Sequence, residues 1–341
     1  MPTAASKRTQ LRTGKRLGER TGKRLAKPTG KRTGKPLGNR PLALAGCALL
    51  STTVALAATP AQATPARPAA ATGTFVALGD SYAAGAGIPA LSAGLCLRSD
   101  HNYAHRVAEK LAPAAYRDVT CAAAKTGALT ARQTDAGIPV NGPQLDAVTP
   151  DTSLVTLTIG GNDIGVTDLG FVDVVAVCTA LAPTNPLGAP CRDHYGDGLA
   201  KRLDATAPRL ADGLRRIHAK APGARVLVVG YPAILPADPV KCLGKVPVTV
   251  GDTAYLRSVL GQVNSMVART AAANGATYVD AFKATEGHDS CSSDRWIEGL
   301  LPLAPAVPLH PNARGEQAMG DAVLDTLSAL GDAPRRAAST R

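Results

Sequence analysis

The stretch Leu154-Val155-Thr156-Leu157-Thr158-Ile159-Gly160-Gly161-Asn162-Asp163 decides the fold. Six consecutive apolar or β-branched residues suit a strand covered on both faces, and the paired glycines end it. Three other stretches repeat the pattern: Thr74-Phe75-Val76-Ala77-Leu78 before Gly79-Asp80-Ser81, Arg225-Val226-Leu227-Val228-Val229 before Gly230-Tyr231-Pro232, and Thr277-Tyr278-Val279-Asp280. Helical spacing fills the intervals. His105 to Leu111 is one helix. Leu199, Leu203, Leu210, Leu214 and Ile217 form a stripe interrupted by Pro208. Asp252 can cap a helix that stops at Asn274-Gly275, and Asn312 can cap a last one carrying Met319, Val323, Leu327 and Leu330. Wholly apolar strands alternating with helices predict an α/β fold, a three-layer α/β/α sandwich around a central, mainly parallel sheet. In such sheets ligands sit beyond the carboxyl ends of the strands, which directs attention to the loops at Ser81, Asn162 and Tyr231.

Charge is distributed unevenly. The first 40 residues hold 13 Lys/Arg against one acid, Glu19, and so account for the whole net charge of +12; the rest balances 25 against 25. A folded nucleic-acid-binding domain should carry its own basic patch, so no nucleic-acid partner is expected. Thr-Gly-Lys-Arg recurs at Thr13, Thr21 and Thr29, and an uncharged, mostly apolar run from Pro41 to Ala58 follows. Ala61-Gln62-Ala63 then supplies a small-residue cleavage site. Basic region, apolar region and cleavage site in that order predict a secretory signal peptide over 1–63 with a long basic n-region. Leu44-Ala45-Gly46-Cys47 matches a lipobox, but too few apolar residues precede Cys47, and no stable membrane anchor is expected. Residues 64–73, rich in Ala, Pro and Thr, read as a flexible lead-in, and 332–341 as a disordered tail.

Beyond Cys47 the cysteines are Cys96, Cys121, Cys178, Cys191, Cys242 and Cys291. An even number outside the signal peptide suggests disulfides in an oxidising compartment, hence secretion. Spacing alone leaves 15 pairings open. No Cys-x-x-Cys pair or other ligand cluster occurs, so neither a metal nor a cofactor is expected. Thr179 to Pro190 shows no helical periodicity.

Ser81 follows the first strand by two residues, where a substrate carbonyl could reach it, and needs a base to become nucleophilic. Of six histidines, His310 stands out, set between Pro308 and Pro311 just before the last helix. An unperturbed imidazole titrates near pH 6.5, so activity is expected to rise through that range. His101 and His105 lack the acid of a zinc motif and suit a surface helix; for His288, beside Asp289, a structural hydrogen bond is expected. Asp80 and Asp163 are expected to brace their loops.

Gly79-Asp80-Ser81-Tyr82, Gly160-Gly161-Asn162-Asp163 and His310-Pro311-Asn312-Ala313-Arg314-Gly315 resemble, in order, the nucleophile, Asn and His blocks of the SGNH (GDSL) hydrolases. The resemblance runs over a domain of about 74–331. Its secreted, three-disulfide esterase and lipase branch is the nearest likeness, including Gln144 and Asp294-Arg295-Trp296. It implies a monomeric carboxylic ester hydrolase acting on esters or lipids, with Ser81 as nucleophile and His310 as base. The Ser81 main-chain N–H and the Asn162 side-chain amide would form an oxyanion hole, each donor worth about 3 kcal/mol of barrier. It also implies the pairs Cys96–Cys121, Cys178–Cys191 and Cys242–Cys291.

Two departures matter. Ala123 stands where the family's second block has a glycine whose N–H serves the oxyanion hole; that N–H survives unless the site demands positive φ, with Gly127 as the fallback. Val307 stands where the family's acid is expected, three residues before the histidine. The resemblance to dyad members suggests that the Val307 main-chain carbonyl orients His310, with Asp280 or Asp294 as fallback acids. Two other readings stand beside this one. The first is an inactive extracellular binding protein on the same fold, supported only by Gly85-x-Gly87-x-x-Ala90, which imitates a dinucleotide loop seven residues too late. The second is a carbohydrate O-acetyl esterase.

Overall fold

A computed structural model of the chain describes residues 73–332, except Ala136 and Asp168. The signal peptide expected over 1–63, nearly all of the expected lead-in and the tail beyond Asp332 lie outside the described residues. Strands β1 (Thr74–Gly79), β2 (Ala115–Asp118), β5 (Thr152–Thr158), β6 (Arg225–Val229) and β7 (Thr277–Val279) form a parallel sheet in the order β2-β1-β5-β6-β7. Strands β3 (Gln133–Asp135) and β4 (Ile138–Asn141) pair antiparallel as a separate hairpin. The four apolar runs are all strands. Edge strand β2 has no apolar run to betray it, since its residues are only half-buried.

The helices are α1 (Ser81–Ala84), α2 (Tyr103–Leu111), α3 (Phe171–Leu181), α4 (Pro190–Tyr195), α5 (Gly198–Lys220), α6 (Val250–Ala273), α7 (Ala281–Ala284) and α8 (Ala313–Asp332). They cover both faces of the sheet. Because side chains alternate along a strand, Val76 and Leu78 pack with α5 and α6, while Phe75 and Ala77 pack with α2 and α8. Each fully buried leucine or valine of these layers stabilises the fold by about 1.5–3 kcal/mol relative to exposure. Among the described residues no helix is long and apolar enough to cross a membrane.

Three local expectations are corrected. Pro208 lies inside α5 without ending it; the residue is exposed, so the carbonyl of Asp204 that loses its partner faces solvent. Thr249, not Asp252, caps α6: its hydroxyl accepts from the Asp252 N–H at 3.0 Å. The Asp252 carboxylate instead accepts from the N–H groups of Cys191 and Arg192, at the start of α4. The Thr179–Pro190 stretch is also less irregular than it reads, since α3 continues to Leu181 and a short 3₁₀ turn follows. Disulfides join Cys96 to Cys121, Cys178 to Cys191 and Cys242 to Cys291.

Candidate active site

Strand β1 ends at Gly79, whose φ of +139° favours glycine; a Cβ there would stand 2.4 Å from the Thr158 carbonyl oxygen. The Gln144 side chain grips the same residue, accepting from its N–H at 2.7 Å and donating to its carbonyl at 2.9 Å. Asp80 then caps α1 by accepting from the Tyr82 N–H at 3.0 Å. The chain thus turns sharply and places Ser81 at the head of α1, buried but for 7% of its surface.

His310 meets Ser81 across 229 residues of chain, with Nε2 2.7 Å from the serine Oγ. Its Nδ1 stands 2.8 Å from the Pro308 carbonyl, which can only accept, so Nδ1 carries the proton and Nε2 is free to take one. Burial pushes the imidazole down to about 4, and the Pro308 bond only partly opposes this.

The expected Val307 carbonyl is therefore replaced by that of Pro308. The Val307 carbonyl accepts from the His310 main-chain N–H at 3.2 Å, closing a turn. Leu309, at φ +63°, reverses the chain inside that turn, and the ring comes to lie against the carbonyl two residues back. Neither fallback acid reaches the ring. Asp280 is exposed and caps α7 through the Lys283 N–H. Asp294 pairs with Arg314 and with His288, which stacks on Trp296 at 3.6 Å. Asp294, not Asp289, is thus the polar partner of His288.

Asn162 and Ala123 line the same groove as Ser81 and His310. Asn162 Nδ2 donates to the Ala124 carbonyl at 2.9 Å, and an amide nitrogen has a second hydrogen to give. Gly170 packs against Asn162 so closely that a Cβ would stand 2.4 Å from its Cα. Ala123 has φ +64°, so the position does demand the left-handed region, and an alanine holds it. Its N–H has no partner among the described residues, and the Cys96–Cys121 bridge anchors the chain two residues before it. Gly127 does not line the groove. Asp163 ties this loop to the Asn162 loop by accepting from the Thr126 N–H and hydroxyl.

The groove encloses about 770 Å³. Leu95, Leu97, Leu169 and Val172 give it apolar walls, and Lys125 and Arg132 place positive charge along it. Gly87 admits the His310 loop to its rim, since a Cβ would stand 2.6 Å from the Val307 nitrogen. The glycines that imitate a dinucleotide loop are thereby accounted for by packing. Two tyrosines, Tyr82 and Tyr231, stand in stretches that the sequence singles out, but their roles are not legible there. The Tyr231 hydroxyl donates to Asp80 at 2.5 Å and accepts from the Gly161 N–H at 2.7 Å. The Tyr82 ring stacks on His310. Their signals were only positional, one directly after Ser81 and the other two residues beyond the end of β6. Asp80 is fully buried, and desolvation raises its carboxyl to about 7.

Comparison with known proteins bears on the family and the fold. The sequence profile of the GDSL-like Lipase/Acylhydrolase family matches residues 77–318. Lipase 2 of Streptomyces coelicolor is 44% identical over 278 residues, covering 79% of this chain and 89% of that protein. Among solved structures, phospholipase A1 from Streptomyces albidoflavus aligns with a TM-score of 0.63 and 29% identity, over 75% of this chain and 99% of its own. The extracellular lipase of Streptomyces rimosus aligns at 0.60 and 26%, over 75% and 100%. A parallel sheet that brings these three blocks together, with matches over most of the chain, leads to one assignment: the chain belongs to the GDSL-like lipase/acylhydrolase family and is a carboxylic ester hydrolase.

Proposed function

We propose that the chain is a secreted serine esterase or lipase that works through an acyl-enzyme on Ser81, with His310 as base. The observation that carries this reading is the 2.7 Å contact between Ser81 Oγ and His310 Nε2 on the wall of a large, partly apolar groove. Oγ attacks the ester carbonyl carbon, the hydroxyl proton passes to Nε2, and the carbonyl electron pair moves onto oxygen. The N–H groups of Ser81 and Ala123 and the amide of Asn162 receive that oxyanion. Collapse expels the alkoxide, which takes the proton from Nε2. Water then repeats the cycle on the acyl-enzyme, with His310 again as base. Pro308 holds the imidazole in the required tautomer, so the pair works as a dyad.

The volume and apolar walls of the groove favour a substrate with a substantial acyl chain over an acetylated sugar, and the Ser81–His310 geometry favours turnover over mere binding. The leader-like N-terminus, the three disulfides and an extracellular relative support secretion. The test is turnover of p-nitrophenyl esters from acetate to palmitate by the secreted protein and its Ser81→Ala and His310→Ala variants. Both variants should lose nearly all activity, and the wild type should prefer chains longer than acetyl. Turnover that survives Ser81→Ala refutes the reading. The N-terminal residue of the protein in the medium should follow Ala63.

A further inference from the structure

The imidazole of His310 has an unusual set of neighbours. Nδ1 faces a neutral carbonyl, Nε2 faces the serine hydroxyl, and among the described residues no carboxylate bonds either nitrogen. One face of the ring is covered by Tyr82, with centroids 4.1 Å apart and planes 22° from parallel. Tyr82 is itself held on two sides. Its hydroxyl donates to the Leu309 carbonyl at 3.0 Å, and Tyr231 meets its ring edge-on at 5.0 Å. Tyr82 and His310 are only 4% and 5% exposed, so water has little access to the contact.

That placement bears on the charged step. When the Ser81 proton reaches Nε2, as the Oγ–carbon bond forms and the carbonyl pair moves to oxygen, the ring becomes an imidazolium in a site that strongly disfavours it. A triad meets this need with a carboxylate. Here the group within reach is the electron-rich face of a phenol ring, which attracts a cation most strongly where both are desolvated. We propose that Tyr82 is a positioning residue whose ring face stabilises the His310 imidazolium and supplies the charge support that a triad acid otherwise gives. The proposal rests on the Ser81–His310 reading. It assigns the ring and the hydroxyl different tasks: the hydroxyl steadies the Leu309 carbonyl in its left-handed turn, and the ring acts on the charge.

Graded substitution separates the two. In the full secreted protein, Tyr82→Phe removes the hydroxyl. Tyr82→4-fluorophenylalanine, Tyr82→3,4,5-trifluorophenylalanine and Tyr82→pentafluorophenylalanine then weaken and finally reverse the face potential at nearly constant shape. Tyr82→Phe should keep kcat on a short-chain ester within about threefold, the loss of one neutral hydrogen bond. Log kcat should then fall stepwise with fluorine number to about 10- to 30-fold below Tyr82→Phe, with KM unchanged. A merely space-filling ring predicts a flat series, and that result overturns the proposal. A loss already complete in Tyr82→Phe overturns it too, by assigning the effect to the hydroxyl. Should Ser81→Ala retain activity, the underlying reading fails; should Ser81→Ala be inactive while the fluorinated series stays flat, only the role of Tyr82 fails.

Discussion

The Tyr231 hydroxyl donates to the Asp80 carboxylate at 2.5 Å while accepting from the Gly161 N–H at 2.7 Å. One phenol thereby links the turn that presents Ser81 to the loop that presents Asn162. Asn264 holds Tyr231 in turn, with its amide bonded to both the N–H and the carbonyl of that residue. The glycine at 161 follows from the same contact, because a Cβ there would stand 2.7 Å from the Tyr231 ring. Tyr231→Phe leaves a buried N–H at Gly161 without an acceptor, which costs about 1–3 kcal/mol. It also frees the Asn162 loop to shift, for which a loss of about tenfold or more in kcat is expected. Urea denaturation and ester kinetics check the two effects, and wild-type values in both would reject the link.

The pH profile should differ from that of a free imidazole. His310 serves as base only when neutral, and burial lowers it to about 4. Its protonated form is the disfavoured one, so the active form persists well below the ordinary value of about 6.5. The kcat/KM for a short ester should therefore fall with an acid limb near 4, and Asp80→Asn removes the buried Asp80 carboxyl, raised to about 7, from the range above it. The expectation of a rise through 6.5 does not survive the burial of the ring. A limb centred at 6.5 that persists in Asp80→Asn would show that the imidazole is solvated in the free enzyme.

Ala123→Gly should stabilise the protein. At φ +64° an alanine pays roughly 1–2 kcal/mol that glycine avoids. Glycine also loosens the unfolded chain, by about 0.4–1 kcal/mol in the opposite sense. A net gain of about 0.5–1 kcal/mol in urea denaturation is expected, with ester turnover retained because the N–H stays in place. A loss of stability would mean that the methyl packs against something the strain offsets.

The dyad predicts indifference to the nearby acids. Asp280→Asn preserves a capping oxygen on α7, and Asp294→Asn weakens only an exposed cluster with Arg314 and His288. Both variants should keep kcat within about threefold. A fall of about 10⁴-fold, the size seen when a triad aspartate is neutralised, would identify the acid and dismiss Pro308 as sufficient.

The sequence by itself determined the fold class and the principal pair. Runs such as Leu154–Ile159 and Val226–Val229 are apolar or β-branched throughout and suit a strand covered on both faces, and Ser81 and His310 stand where such strands and helices meet. Those signals are local: period, cap and turn are written in consecutive residues. Strand β2 and the α3 extension escaped because their residues, half-buried or inside a disulfide loop, carry no clear period. Only the tertiary structure decided what orients His310. The choice between Val307 and Pro308 depends on the left-handed turn at Leu309, which Tyr82 pins from the far end of the chain. The same holds for the positive φ of Ala123, the Tyr231 link and the lowered imidazole. Each depends on which distant groups pack together and how much water they exclude, and neither quantity is a property of neighbouring letters.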